Sequence, residues 1–118
     1  MKTLVLGASE NKERYSNIAI NMLKDYKHEV VAVGNRVGEV RGVPFSKEKI
    51  DFDEVDTVTL YLGPQNQAEY YDYVDSLKPR RVIFNPGTEN PDWISHLKEN
   101  GIETEVACTL VLLRTKQY

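Results

Sequence analysis

Three short stretches of this 118-residue chain carry residue types that could meet an anion. Gly7-Ala8-Ser9 follows the apolar run Leu4-Val5-Leu6, Arg14-Tyr15-Ser16 stands just ahead of an amphipathic run, and Gly34-Asn35-Arg36 closes a second apolar run. Small residues keep side-chain bulk out of a turn, so a ligand can approach the backbone there. Amides at the start of a following helix then face any bound anion. An ordinary strand-to-helix turn would also be small, so Gly7 alone decides nothing. Lys12 and Arg14 could neutralise a diphosphate at this turn, or serve as surface charges of a first helical turn.

These stretches matter only if the chain brings them together, and its periodicity predicts that it does. Leu4-Val5-Leu6 reads as a strand covered on both faces. Ile18, Met22 and Tyr26, with Ala19 and Leu23, place an amphipathic helix over Ser16–Lys27. Glu29–Val33 is a second strand, and Val43-Pro44-Phe45 forms at most a short one. Ser46–Val55 is assigned a short helix or turn. Asp56–Leu62 is a β-branched strand broken by Gly63-Pro64, and Pro64 opens a helix that carries Tyr70, Val74 and Leu77 on one face. Arg81–Phe84 is a strand. Asn90 caps a helix with Pro91 at its first position and Trp93, Ile94 and Leu97 buried, and Gly101 ends it. Ile102–Val106 is a last strand, and Cys108–Leu113 is assigned a terminal helix. Strands alternating with helices predict an α/β, Rossmann-like, doubly wound and mostly parallel sheet with helices on both faces. The expectation is a single domain over residues 1–118.

In such a sheet the carboxyl ends of the strands share one rim, where ligands bind. The residues that follow the strands are Gly7-Ala8-Ser9, Gly34-Asn35-Arg36, Gly63-Pro64 and Asn85-Pro86-Gly87. A dinucleotide fold that takes NAD carries Asp or Glu after the second strand. This chain has Arg36 there, with Arg41 nearby, and a guanidinium suits an adenosine ribose that bears its own phosphate. NADP and coenzyme A both satisfy that chemistry. The first turn speaks against a nicotinamide enzyme, because Ser9 and Lys12 stand where the fingerprint wants further glycines.

Composition narrows the class. Hydrophobic residues make up 41%, charged residues 28%, and the net charge is −3. With no block of basic residues, no nucleic-acid footprint is expected. No apolar run reaches the ~20 residues of a membrane helix, and Met1-Lys2-Thr3 leads straight into a strand, so neither membrane span nor signal peptide is expected. One cysteine excludes an intrachain disulfide and points to the cytoplasm.

His28, His96 and Cys108 are far apart and lie in no metal-ligand spacing. His96 is expected to pair with Asp92 on its own helix. No Gly-x-Ser-x-Gly elbow is present. Tyr70, Tyr71 and Tyr73 alternate between core and surface. Cys108 reads either as a small apolar residue or as a thiol activated at a helix start. The apolar Leu110–Leu113 leaves room for a homodimer or a protein partner.

Val5-Leu-Gly-Ala-Ser9, Arg14-Tyr15-Ser16, Gly34-Asn35-Arg36, Gly38-Glu-Val-Arg-Gly42, Asp56–Leu62, Asn85-Pro86-Gly87 and Gly101-Ile102 through Cys108 together cover nearly the whole chain. In their order and spacing the chain resembles the small stand-alone CoA-binding-domain proteins, which share their fold with the N-terminal domain of the succinyl-CoA synthetase alpha subunit. The resemblance implies coenzyme A, or an acyl-CoA, lying across the strand ends. By that likeness Gly7, Ala8, Ser9, Arg14, Tyr15 and Ser16 meet its phosphates. Gly34, Asn35 and Arg36 flank the adenosine, and Gly63, Pro64, Asn85, Pro86 and Gly87 line the rest. Many relatives carry Val-Asn-Pro after the second strand, where this chain has Val33-Gly34-Asn35-Arg36. The synthetase's phosphohistidine domain has no counterpart here, which implies a non-catalytic binding module, a sensor, carrier or regulator. Rival expectations are a small NADP-dependent oxidoreductase and an interaction module with a vestigial pocket.

Overall fold

The computed structural model describes residues 1–118. In chain order the elements are β1 (Lys2–Leu6), α1 (Tyr15–Asp25), β2 (Glu29–Val33), β3 (Gly38–Val40), β4 (Val43–Phe45), β5 (Val55–Leu60), α2 (Tyr71–Leu77), β6 (Arg81–Phe84), α3 (Pro91–Glu99), β7 (Glu103–Val106) and α4 (Thr109–Arg114). β2, β1, β5, β6 and β7 lie side by side in that order, and every neighbouring pair is parallel. The α/β, Rossmann-like expectation therefore holds. Because the order runs outward from β1 in both directions, its switch point falls between β1 and β5.

Residue alternation on the strands sorts the core into two layers. Leu4, Leu6, Val58, Leu60, Val82 and Phe84 face Tyr73 and Val74 of α2 and Trp93 and Leu97 of α3. Val5 and Ala32 face Ile20 and Leu23 of α1 and Leu113 of α4. Trp93 is fully buried, with its ring 5.7 Å from Phe84, edge to face, and 4.7 Å from Tyr71. Asn90 caps α3 by accepting from the Trp93 amide at 3.3 Å, as the Asn-Pro pair predicts.

Several sequence expectations need correction. Gly38–Val40, to which the sequence reading assigns no strand, forms β3, paired antiparallel with β4 as a separate hairpin. Ser46–Val55, assigned a helix or turn, holds a turn at Asp53-Glu54 and no helix. The helix expected to run from Pro64 is broken into two 3₁₀ turns, Pro64–Asn66 and Ala68–Tyr70, before α2 begins. Tyr70 and Tyr73 are both buried, so these tyrosines do not simply alternate. The apolar tail turns Leu110, Leu112 and Leu113 inward and leaves Val111 exposed. No helix is long and apolar enough to cross a membrane.

His96 does not pair with Asp92. Its Nε2 lies 2.7 Å from Asp75 Oδ2, which clamps α3 to α2. The hydrogen bond to Asp75 raises the imidazole pKa above its ordinary 6.5. A histidine whose folded value is raised contributes stability in full below its unfolded value and loses it as pH climbs through the folded one. Chemical unfolding of the wild type and His96→Gln between about pH 6 and pH 8 should therefore show the wild-type advantage shrinking as pH rises. An advantage that stays constant over that window would mean that the pair does not couple to folding.

Candidate functional site

The parallel registers align Leu6 with Val33 and Leu60, Leu60 with Phe84, and Phe84 with Val106. All the strand-end turns singled out from the sequence therefore lie along one rim. Gly7 turns the chain off β1 with φ +103°, and a Cβ there would stand 3.0 Å from the Tyr61 backbone. The turn is consequently packed against the next strand end at the switch point. The amides of Gly7 and Ala8 both donate to the Val33 carbonyl, at 2.9 and 3.0 Å. Gly34 sits still tighter, because a Cβ there would stand 2.4 Å from the Ala8 carbonyl oxygen. Glycines at these two positions thus also serve close loop packing.

Beyond Ala8 the chain is held by its own polar groups. Ser9 Oγ accepts from the Asn11 amide and Asn11 Oδ1 from the Glu13 amide, both at 3.0 Å. Asn17, buried in the first turns of α1, donates to the Ser9 carbonyl at 3.0 Å. Glu10 reaches across the rim to accept from the Glu39 amide at 3.0 Å and anchors the β3–β4 hairpin. Asn17 and Glu10 are site-shaping residues that sequence reasoning missed.

The start of α1 is chemically open. Arg14 occupies the cap position with extended backbone, no side chain caps the helix, and its first turn holds no acidic residue. The amides of Tyr15 and Ser16 donate to no backbone carbonyl. Unpartnered amides and the positive end of the helix dipole together favour an anion here. Lys12, Arg14 and Tyr15 are exposed around it, whereas Ser16 is buried. A groove of about 580 Å³ runs from Glu10 and Lys12 between α1 and β3.

Across the rim, Gly34 is buried while Asn35 and Arg36 are exposed, and Arg36 joins no carboxylate. Arg41, the other cation expected near it, is committed elsewhere: Nη1 meets Asp25 at 2.6 Å and the Asn21 carbonyl at 3.1 Å. Arg36 is the guanidinium that remains available.

On the β5–β6 side, Gly63 is half-buried, and Pro64, Pro86 and Gly87 are exposed. Asn85 is buried and its side chain is fully used. Nδ2 donates to Thr59 Oγ1 at 2.7 Å and to the Leu60 carbonyl at 2.8 Å, and Oδ1 accepts from the Thr109 amide at 2.8 Å. It ties β5 and β6 to α4 and is placed as a brace beneath the rim. The Tyr61 hydroxyl beside it is buried without a hydrogen-bond partner, and burial pushes its phenol up to about 12. Cys108, half-buried, stands at the start of α4. A second depression, of about 470 Å³, lies at the opposite rim between Lys78-Pro79 and Asn100-Gly101 and holds none of these residues.

With this geometry in place, comparison with known proteins gives a consistent picture. A family model described as CoA binding domain matches residues 1–114. No curated protein matches the chain. The crystal structure of an uncharacterized protein shares 50% identity over 99% of this chain and 97% of its own, with a TM-score of 0.97. A protein from Thermus thermophilus shares the fold at 22% identity and a TM-score of 0.86, over 99% of this chain and 90% of its own. More distantly, at 15% identity, the dinucleotide-forming acetyl-coenzyme A synthetase 1 of Ca. Korarchaeum cryptofilum matches 87% of this chain with 25% of its own, at a TM-score of 0.73.

Proposed function

The chain belongs to the CoA binding domain family, and from that premise we propose that it binds coenzyme A or an acyl-CoA along the carboxyl-end rim of its sheet without transforming it. The observation that carries this reading is the uncapped start of α1, which faces the same rim as the unpaired Arg36. The diphosphate would sit against the Tyr15 and Ser16 amides, near Lys12 and Arg14. Arg36 would take the phosphate on the adenosine ribose, by two parallel donors. The pantetheine arm would then run past Gly63 and Pro64 toward Pro86 and Gly87. Asn85 belongs to this site as the brace beneath it, since its side-chain donors and acceptor are engaged. The Korarchaeum protein is named as an acetyl-coenzyme A synthetase, which agrees with the same ligand class. Nothing in the family match favours NADP, and the first turn, with Ser9 and Lys12, lacks the nicotinamide-type glycines. A module that binds without reacting serves as a sensor, carrier or regulator, with a protein partner or a second copy reading the loaded form.

Calorimetric titration of the wild type and Arg36→Gln with coenzyme A and dephospho-CoA tests the assignment. Loss of one charge-assisted phosphate contact is worth about 1.5–3 kcal/mol, so Arg36→Gln should weaken coenzyme A by about tenfold or more. Dephospho-CoA, which lacks that phosphate, should bind both proteins alike. Equal wild-type affinity for the two ligands would remove Arg36 from the site.

A further inference from the structure

The stretch between β5 and α2 contains one amide side chain that is fully buried. Gln67 is 0% exposed. Its Nε2 donates to the Leu62 carbonyl and to the Thr88 carbonyl, each at 2.8 Å, and its Oε1 accepts from Asn90 Nδ2 at 2.9 Å. Leu62 precedes Gly63 in the turn after β5, and Thr88 follows Gly87 in the turn after β6. A single amide therefore joins the tips of two rim turns, while Asn85 joins their bases. Asn90 also donates to the Tyr71 hydroxyl at 2.9 Å, which continues the network into α2 and α3.

We infer that Gln67 is a positioning residue: it holds the Leu62–Gly63 and Gly87–Thr88 tips at a fixed separation and so preforms the track for the pantetheine arm, without touching the ligand. This rests on the coenzyme A reading above. An extended arm recognised mainly by backbone groups gains affinity only where those groups are already ordered, because ordering loops on binding consumes the interaction. Gln67→Met keeps the length and bulk of the side chain but leaves the Leu62 and Thr88 carbonyls without their donor. The two tips are then free to separate. The start of α1 and the Arg36 turn, on the other half of the rim, keep their own bonds.

The test compares coenzyme A with adenosine 3′,5′-bisphosphate, which lacks the arm, in titrations of the wild type, Gln67→Met and Asn90→Ser. Gln67→Met should weaken coenzyme A about tenfold while changing the bisphosphate by less than about twofold. Asn90→Ser retains a cap-forming hydroxyl for α3 and removes only the Asn90 side of the network, so it should weaken coenzyme A about threefold and leave the bisphosphate alone. A purely structural role would weaken both ligands in parallel, and that result overturns the inference, as does no change in either ligand. Should Gln67→Met fail to fold, unchanged coenzyme A affinity in Asn90→Ser overturns it equally. A wild type that binds neither ligand overturns the coenzyme A reading itself, and this inference with it.

Discussion

Replacing Asn85 by alanine is expected to lower the stability of the folded chain by about 3–5 kcal/mol, because two buried backbone groups lose their partners at once. Asn85 Oδ1 accepts from the Thr109 amide and Nδ2 donates to the Leu60 carbonyl, and neither group has another bond to fall back on where α4 covers the sheet. Thr59 is better placed, since its hydroxyl still meets Thr109 Oγ1 at 2.8 Å. Urea unfolding of wild type and variant measures the difference. A loss below about 1 kcal/mol would show that water or a shifted side chain replaces these bonds, and that Asn85 is not the brace of the rim.

The second large effect belongs to Gly34→Ala. A Cβ at this position would stand 2.4 Å from the Ala8 carbonyl oxygen and 3.2 Å from its carbon, which are backbone atoms that cannot rotate away. The Ala8 segment is itself fixed, because the Gly7 and Ala8 amides share the Val33 carbonyl. Relief must therefore come from parting the ends of β1 and β2. The expected cost is about 2–4 kcal/mol, near the upper end for overpacking. Coenzyme A affinity should fall with it, since the first turn and the Arg36 turn would shift relative to each other. Gly87→Ala is the control: a Cβ there meets nothing within 4 Å, so only its φ of +91° is penalised. Gly34 is not among the glycines of positive φ, so a loss at Gly34 no larger than that at Gly87 would mean that the Ala8 backbone yields and that close packing of the two rim turns does not set the need for glycine.

The sheet was readable in the sequence because its strands follow a simple pattern. Glu29–Val33 and Arg81–Phe84 are apolar runs bounded by breakers, and the structure has the same bounds. Asn90-Pro91 announced α3 through cap chemistry that depends on neighbouring residues alone. The shared rim followed from the parallel alternation of strands and helices. What stayed hidden depends on contacts distant in sequence. β3 is three residues long and exists by pairing with β4 and by the Glu10 contact to Glu39, neither of which leaves a periodic trace. Gln67 stands among polar neighbours that suggest solvent, and only the convergence of two turns makes it a core residue. His96 had an acidic residue at helical spacing in Asp92, yet the closer carboxylate came from α2. Arg41 and Arg36 looked equivalent as cations, and only tertiary contacts separate the one held by Asp25 from the one that joins no carboxylate.

The central claim is that one phosphorylated-adenosine ligand lies along the carboxyl-end rim. Titrating coenzyme A into ¹⁵N-labelled protein and following its amide resonances tests this most directly. The account predicts shifts at Gly7–Ser9, Tyr15, Ser16, Gly34–Arg36, Gly63 and Gly87, with Lys78 and Gly101 at the opposite rim unmoved. Shifts centred on Lys78 and Gly101, or a spectrum unchanged by coenzyme A, would contradict it.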